Sequence, residues 1–141
     1  MAPRRDVLLD TGPLVAILDG RDTWHQVCAD AWYEVAERCV TTEAVVTEAC
    51  HLVARGGGPA HVALDFLLAA GVPIVGLEKS GHEHAVRLMR RYADVPMDYA
   101  DATLVVSCDA LAIRNVLTLN RRGFGTYRRS SGERFSMLPV R

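Results

Sequence analysis

The sequence predicts an α/β protein built on a mainly parallel twisted sheet with helices over both faces. Three observations carry this. Short apolar runs alternate with longer stretches of helical periodicity, the runs end at turn or capping residues, and half of the 141 residues are apolar, enough for one ordinary core. A single domain over residues 1–141 is therefore expected.

The elements follow in chain order. Val7 to Leu9 is an apolar run that ends at Asp10 and reads as a buried strand, after which Gly12-Pro13 opens an apolar helix to about Leu18. From Trp24 to Arg38, Val27, Cys28, Ala31, Trp32, Val35 and Ala36 recur at helical spacing, whereas Cys39-Val40-Thr41 is too short for anything but a strand. Thr42 caps a helix to about Ala54 that stops at Gly56-Gly57-Gly58, and Pro59 starts another that ends near Gly71. Pro73 to Leu77 is a third strand, Ser80 caps a helix to about Tyr92, and Asp98 caps one to about Ala112. Val116 to Leu119 and Phe135 to Val140 supply a fourth and a fifth strand. Strands joined through helices imply right-handed crossovers, which place a site outside the carboxyl ends of the strands. Asp10 and Asn120 both stand just after a strand.

Composition excludes several classes. The apolar stretch after Arg4 and Arg5 is broken by Asp10, Gly12 and Pro13 before it forms a signal-peptide core, and no run reaches membrane-spanning length. Cys28, Cys39, Cys50 and Cys108 are widely spaced, with no Cys-x-x-Cys pair, and read as free thiols in a reducing cytoplasm. The formal net charge of −1 hides an uneven distribution. From Leu119 onward six arginines (121, 122, 128, 129, 134 and 141) face the single acid Glu133, a local balance of plus five. The guanidinium fork suits phosphate, although a solvated tail has the same composition.

The acidic residues carry the chemistry. Glu48 shares a helix side with Ala44, Val45 and Leu52, and Asp101 sits one turn from Leu104 and Val105 with Asp98 one turn behind. Apolar faces seldom carry carboxylates without compensation, because burying one unpaired costs several kcal/mol and neighbouring ones repel. A divalent cation would compensate, and an oxygen-only donor set without a His/Cys cluster favours Mg²⁺ or Mn²⁺ over zinc. Each acid also has a plainer reading: Asp98 and Asp10 as helix caps, and Glu48 as the partner of an arginine such as Arg55 or Arg114. All four being incidental is a poorer account than one shared site. Separated acids without a nucleophile suit in-line hydrolysis of a phosphodiester, with Asp10 and Asp101 as direct ligands and Glu48 and Asp98 either completing the shell or holding metal-bound water. Arg121, Arg122, Arg128 and Arg129, beginning beside Asn120, would then hold a nucleic-acid backbone.

The segments 7–16, 41–52, 97–105 and 116–124 resemble, in order and spacing, the successive motifs of PIN-domain nucleases, in particular the VapC-like toxins of bacterial toxin–antitoxin pairs. The resemblance places the family's first-strand aspartate on Asp10, its helix glutamate on Glu48 and its later aspartate on Asp101. Asp98 is the auxiliary acid, Thr118 the threonine that closes the fourth strand, and Thr11 a supporting residue. It implies a three-layer α/β/α sandwich, a metal-dependent endoribonuclease acting on RNA, a homodimer, and an antitoxin protein as partner. Where many relatives have a further acid the chain has Asn120, and Gly123 follows in place of another polar residue. The loss of that charge predicts one well-occupied metal site.

Other classes fit less well. Leu9-Asp-Thr-Gly12 is the local signature of aspartic proteases, but those folds are dominated by β structure. Glu48 and His51 have the Glu-x-x-His spacing of di-iron bundles, which need the motif twice. The competitor from a different class is a catalytically degraded interaction or regulatory module that keeps the acidic pocket, a reading Asn120 favours. A phosphoacceptor domain lacks support, because no acidic pair follows the first strand and Lys79 is the only lysine. A DNA- or flap-directed nuclease would share the chemistry and differ only in its substrate channel.

Overall fold

A computed structural model describes residues 4–140, so Arg141, counted above in the basic segment, lies outside the described residues. The chain runs β1 (Val7–Leu9), α1 (Thr11–Leu18), α2 (His25–Val35), a 3₁₀ turn (Ala36–Arg38), β2 (Cys39–Thr42), α3 (Glu43–Arg55), α4 (Val62–Ala69), β3 (Ile74–Val75), α5 (Lys79–Arg91), α6 (Tyr99–Leu111), β4 (Asn115–Leu117), α7 (Arg121–Thr126) and β5 (Ser136–Leu138). The five strands form one sheet in the order β3-β2-β1-β4-β5, and every pairing is parallel. The chain leaves β1 toward one side of the sheet and returns on the other at β4. The switch point therefore lies between β1 and β4, where an open parallel sheet leaves a crevice.

β1 and β4 are short because their carboxyl ends turn at once into polar residues, Asp10 and Thr118, that bond each other. Val7, Leu8 and Leu9 are fully buried between helical layers, as a strand covered on both faces must be. Thr41 Oγ1 donates to Leu9 O at 2.8 Å and ties β2 to the end of β1. Thr42 caps α3 by accepting from Val45 N, and its hydroxyl meets Thr103 Oγ1 of α6 at 2.8 Å. α6 is buried from Ala100 through Cys108, so it runs through the interior with no solvent face along that stretch. No helix among the described residues is long and apolar enough to cross a membrane.

The structure corrects three local readings. Glu78, not Ser80, stands at the N-cap of α5, and Ser80 lies inside the helix. The fourth strand ends at Leu117, because Thr118 and Asn120 turn the chain into α7, a helix that two glycines and the lack of an apolar run concealed. The helix expected from Pro59 begins at Val62.

α6 ends at Ala112, which holds the left-handed conformation at φ 55°, ψ 45° while its N–H bonds Cys108 O. A Cβ is disfavoured there and glycine is not, and the residue is exposed. Replacing Ala112 with glycine is expected to raise unfolding free energy by about 0.5–1 kcal/mol, the relief of the αL strain exceeding the added freedom of the unfolded chain. Urea denaturation of the two proteins checks it; a lower midpoint for Ala112→Gly would contradict it.

Candidate active site

The switch point gathers the predicted acids. Asp10 follows β1, and its backbone N–H donates to Leu117 O, which locks it beside the end of β4. Each of its carboxylate oxygens accepts one local hydrogen bond, Oδ1 from Thr11 N at 2.8 Å and Oδ2 from Thr118 Oγ1 at 2.7 Å, and keeps capacity for another partner. Thr118 Oγ1 in turn accepts from Asn120 N–H at 2.9 Å, so one hydroxyl both orients Asp10 and starts the turn into α7. Asp10 is 6% exposed, and burial, reinforced by the charges of Glu48 and Asp98, raises its pKa to about 6 against two hydrogen bonds that lower it.

Asp101 enters from the first turn of α6 and is 7% exposed. Burial first, then the charges of Asp10 and Asp98, push its pKa to about 7. Its Oδ2 accepts from Tyr127 Oη at 2.8 Å and, at 3.4 Å, from Asn120 Nδ2. Asp98 is the N-cap of α6, with Oδ1 accepting from Asp101 N at 2.8 Å, so the cap reading and the site reading hold together. Glu48 is half-buried on α3, in a groove of about 460 Å³ that Ala44, Thr47, His51, Asp98 and Tyr99 also line. Neither Arg55 nor Arg114 pairs with it; Arg114 faces Glu133 instead.

Sequence reasoning missed Tyr127. Its ring packs edge-on against Phe124 and Tyr92, and burial together with the Asp101 charge raises the pKa of its hydroxyl. The Phe124-x-x-Tyr127 spacing signals only a core pair; nothing local announces a hydroxyl aimed across the fold at Asp101. Asn120, read as a lost acid, is the N-cap of α7, with Oδ1 accepting from Gly123 N at 3.0 Å. A Cβ at Gly123 would collide with the Asn120 side chain, which explains the glycine there.

The arginines divide. Arg121 donates to Pro139 O, Arg128 donates to the carbonyls of Gly125, Thr126 and Tyr127, and Arg129 faces Glu133 at 3.7 Å. Arg122 is exposed at the start of α7, where its guanidinium is bound to no other described side chain.

The donor set suits a hard cation. It offers only oxygens, its two buried carboxylates repel one another, and Thr11 Oγ1 beside Asp10 is buried without a hydrogen-bond partner. Among the described residues no three His, Cys, Asp or Glu side chains close on one point, which excludes a dedicated protein cage but not an ion that keeps several waters and takes one or two carboxylates.

Comparison with known proteins extends this. The sequence pattern of the PIN domain matches residues 7–129. The chain is 33% identical over 135 residues to ribonuclease VapC26 of Mycobacterium tuberculosis (strain ATCC 25618 / H37Rv), covering 94% of this chain and 100% of that protein. Its structure is similar to that of M. tuberculosis VapC20, described as a sarcin-ricin loop cleaving toxin, with a TM-score of 0.72 and 21% identity over 78% of this chain and 86% of that one. It is also similar to VapBC2 from Rickettsia felis bound to a DNA fragment from their promoter, with a TM-score of 0.67 and 12% identity over 93% of this chain and 97% of that one. A toxin-antitoxin complex from Klebsiella pneumoniae gives a TM-score of 0.64 and 16% identity over 85% of this chain and 91% of that one. At these identities the structural likeness shows the shared fold.

The raised carboxyls make a prediction about the metal-free protein. A carboxyl whose folded pKa exceeds its unfolded value, near 4, contributes stability that is full below that value and is lost as pH rises through the folded pKa, here about 6 for Asp10 and about 7 for Asp101. In EDTA, thermal stability is therefore expected to fall between pH 5 and pH 8. Asp101→Asn should flatten that fall and stabilise the protein at pH 8 by about 2 kcal/mol. Melting curves across this range decide it, and an unchanged slope in the variant would refute the assignment.

Proposed function

The chain belongs to the PIN-domain family, among the VapC ribonuclease toxins of toxin–antitoxin systems, and from that premise we propose that Asp10, Glu48, Asp98 and Asp101 are the acids with which it hydrolyses RNA, with Mg²⁺ or Mn²⁺ as cofactor. The observation that carries the residue assignment is the pair of buried, mutually repelling carboxylates of Asp10 and Asp101 at the switch point of the sheet. Asp10 and Asp101 would hold the ion directly, with Glu48 completing its shell through a bound water. Such an ion supplies Lewis acidity toward water and toward the phosphoryl oxygens.

The residues themselves divide the remaining work. Thr118 and the Thr11 N–H fix the plane of the Asp10 carboxylate. Tyr127 and Asn120 both donate to Oδ2 of Asp101, so its Oδ1 is the oxygen left for an ion. Glu48, with no hydrogen bond to another described residue, is the carboxylate placed to orient the attacking water and take its proton. Asp98 fixes the start of α6 through Oδ1 and keeps Oδ2 for the shell. Of the arginines, Arg122 is the one whose guanidinium is free to hold a backbone phosphate, while Arg121, Arg128 and Arg129 shape the segment that presents it. The complexes from K. pneumoniae and R. felis support an antitoxin protein as the partner, and the proposed assembly is a homodimer.

Purified protein in Mn²⁺ or Mg²⁺ is expected to cut RNA, in a panel of single-stranded oligonucleotides, structured RNAs and a sarcin–ricin loop. EDTA should abolish cleavage, and Asp101→Asn should lower it by at least about a hundredfold. A folded, metal-binding wild type that cuts none of them would overturn the reading in favour of an interaction module.

Arg122→Ala is expected to raise KM without changing which bonds are cut, and to reduce the slope of log KM against log salt by about one unit. An unaltered salt slope would remove Arg122 from the backbone contact.

A further inference from the structure

The groove of Glu48 and Asp98 does not end at the carboxylates. Through Ala44, Thr47 and Tyr99 it continues into a cleft of about 300 Å³ between the first turn of α3, the end of β3 and α5. Two rings form one wall. Tyr99 Oη and His82 Nε2 are hydrogen-bonded at 2.9 Å, and the ring planes differ by 19° with centroids 6.1 Å apart. The bond holds the two nearly parallel rings together as one aromatic shelf. Tyr99 is 45% exposed and His82 is exposed as well, so the core does not account for either ring.

The rest of the cleft specifies what would lie on that shelf. Glu43 is exposed, and its carboxylate rests against Gly76, where any Cβ would collide with Oε1. That carboxylate has no hydrogen bond or ion pair with any other described residue, and no lysine or arginine lines the cleft. A wall that is acidic and lacks cations disfavours phosphate. A flat π surface beside an unengaged acceptor favours a neutral planar group with N–H donors along one edge.

We propose that this cleft is a base-binding subsite for a nucleotide flanking the scissile phosphate, with the Tyr99–His82 shelf as stacking surface and Glu43 as acceptor for the N–H edge of the base. Guanine fits best, because its N1–H and amino group present adjacent donors to one carboxylate. The proposal rests on the ribonuclease reading of the neighbouring acids and adds to it a unit of sequence preference. Unpaired bases splayed from single strands or loops are the form of RNA such a shelf accepts.

The test is cleavage of a randomised single-stranded RNA pool by the full chain in Mn²⁺, with sequencing of the cut ends and kinetics on one preferred oligonucleotide. The wild type should show guanine enriched at one fixed position beside the cut. Tyr99→Ala should raise KM about tenfold, Tyr99→Phe, which keeps the ring but loses the bond to His82, should raise it less, and Glu43→Gln should cut with its guanine preference weakened. Equal KM and equal cut sites in folded Tyr99→Ala and Glu43→Gln would overturn the subsite while leaving the ribonuclease in place. A Tyr99→Ala change in sedimentation without a change in KM would assign the shelf to a protein contact and overturn it as well. A wild type that cuts no RNA would instead bring down the reading of the acids on which the subsite rests.

Discussion

The cost of keeping the Asp10 and Asp101 carboxylates out of water and near one another governs the arrangement of the sheet's carboxyl edge. Both are less than a tenth exposed, and both have raised pKa values for which burial is the leading cause. Asp10 is held by Thr118, whose hydroxyl also begins α7, and Asp101 is held by Tyr127, which α7 delivers. Four donors address the two groups, and all of them come from the chain's own turns around β1, β4 and α7. Such donors reduce the penalty of burial without removing the mutual repulsion of the two groups.

The topology makes this assembly possible at low entropic cost. The order β3-β2-β1-β4-β5 puts the ends of β1 and β4 side by side, although Asp10 and Thr118 are 108 positions apart. α6, buried along most of its length, carries Asp101 to the same place at its first turn, and the Thr42–Thr103 hydroxyl pair joins that helix to the start of α3, which bears Glu48. Two helix starts and two strand ends converge, so the acids ride on rigid elements rather than on loops. The threonines at 41, 42, 103 and 118 are buried for this reason: each hydroxyl closes a bond between elements at the edge where the strands stop.

What the sequence made legible follows from the same physics. Asp10, Glu48 and Asp101 were visible because a carboxylate on an apolar face is anomalous, and Asp98 because it stands where a helix must begin. The strands and long helices were legible through periodicity, and errors fell at their ends, as with Ser80 and Leu119, where one residue's capping geometry decides. α7 was hidden by its glycines, and with it the role of Asn120, which looks like a missing acid and is a cap. Tyr127 was hidden because its partner is 26 residues away. The basic segment was legible only as composition, which counts arginines but does not show that Arg121 and Arg128 donate to carbonyls of their own chain.

The placement of Arg122 and of the Tyr99–His82 shelf bears on how a strand of RNA would cross the site. α7 and Arg122 lie on the β4–β5 side of the switch point, whereas the Tyr99–His82 shelf and Glu43 lie toward the β2–β3 side. Cationic and acidic surfaces therefore flank the carboxylates on opposite sides along the carboxyl edge of the sheet. A polyanion with neutral planar bases satisfies both only if its backbone turns toward Arg122 and a base turns away toward the shelf as the chain passes over Asp10 and Asp101. Such a splayed conformation is open to single strands and loops and closed to a continuous duplex, whose bases are stacked on one another. On the proposed roles of Arg122 and the shelf, the same asymmetry would separate the two contributions to recognition: the α7 side would supply affinity that falls with salt and is indifferent to sequence, and the α3–α5 side the choice of base.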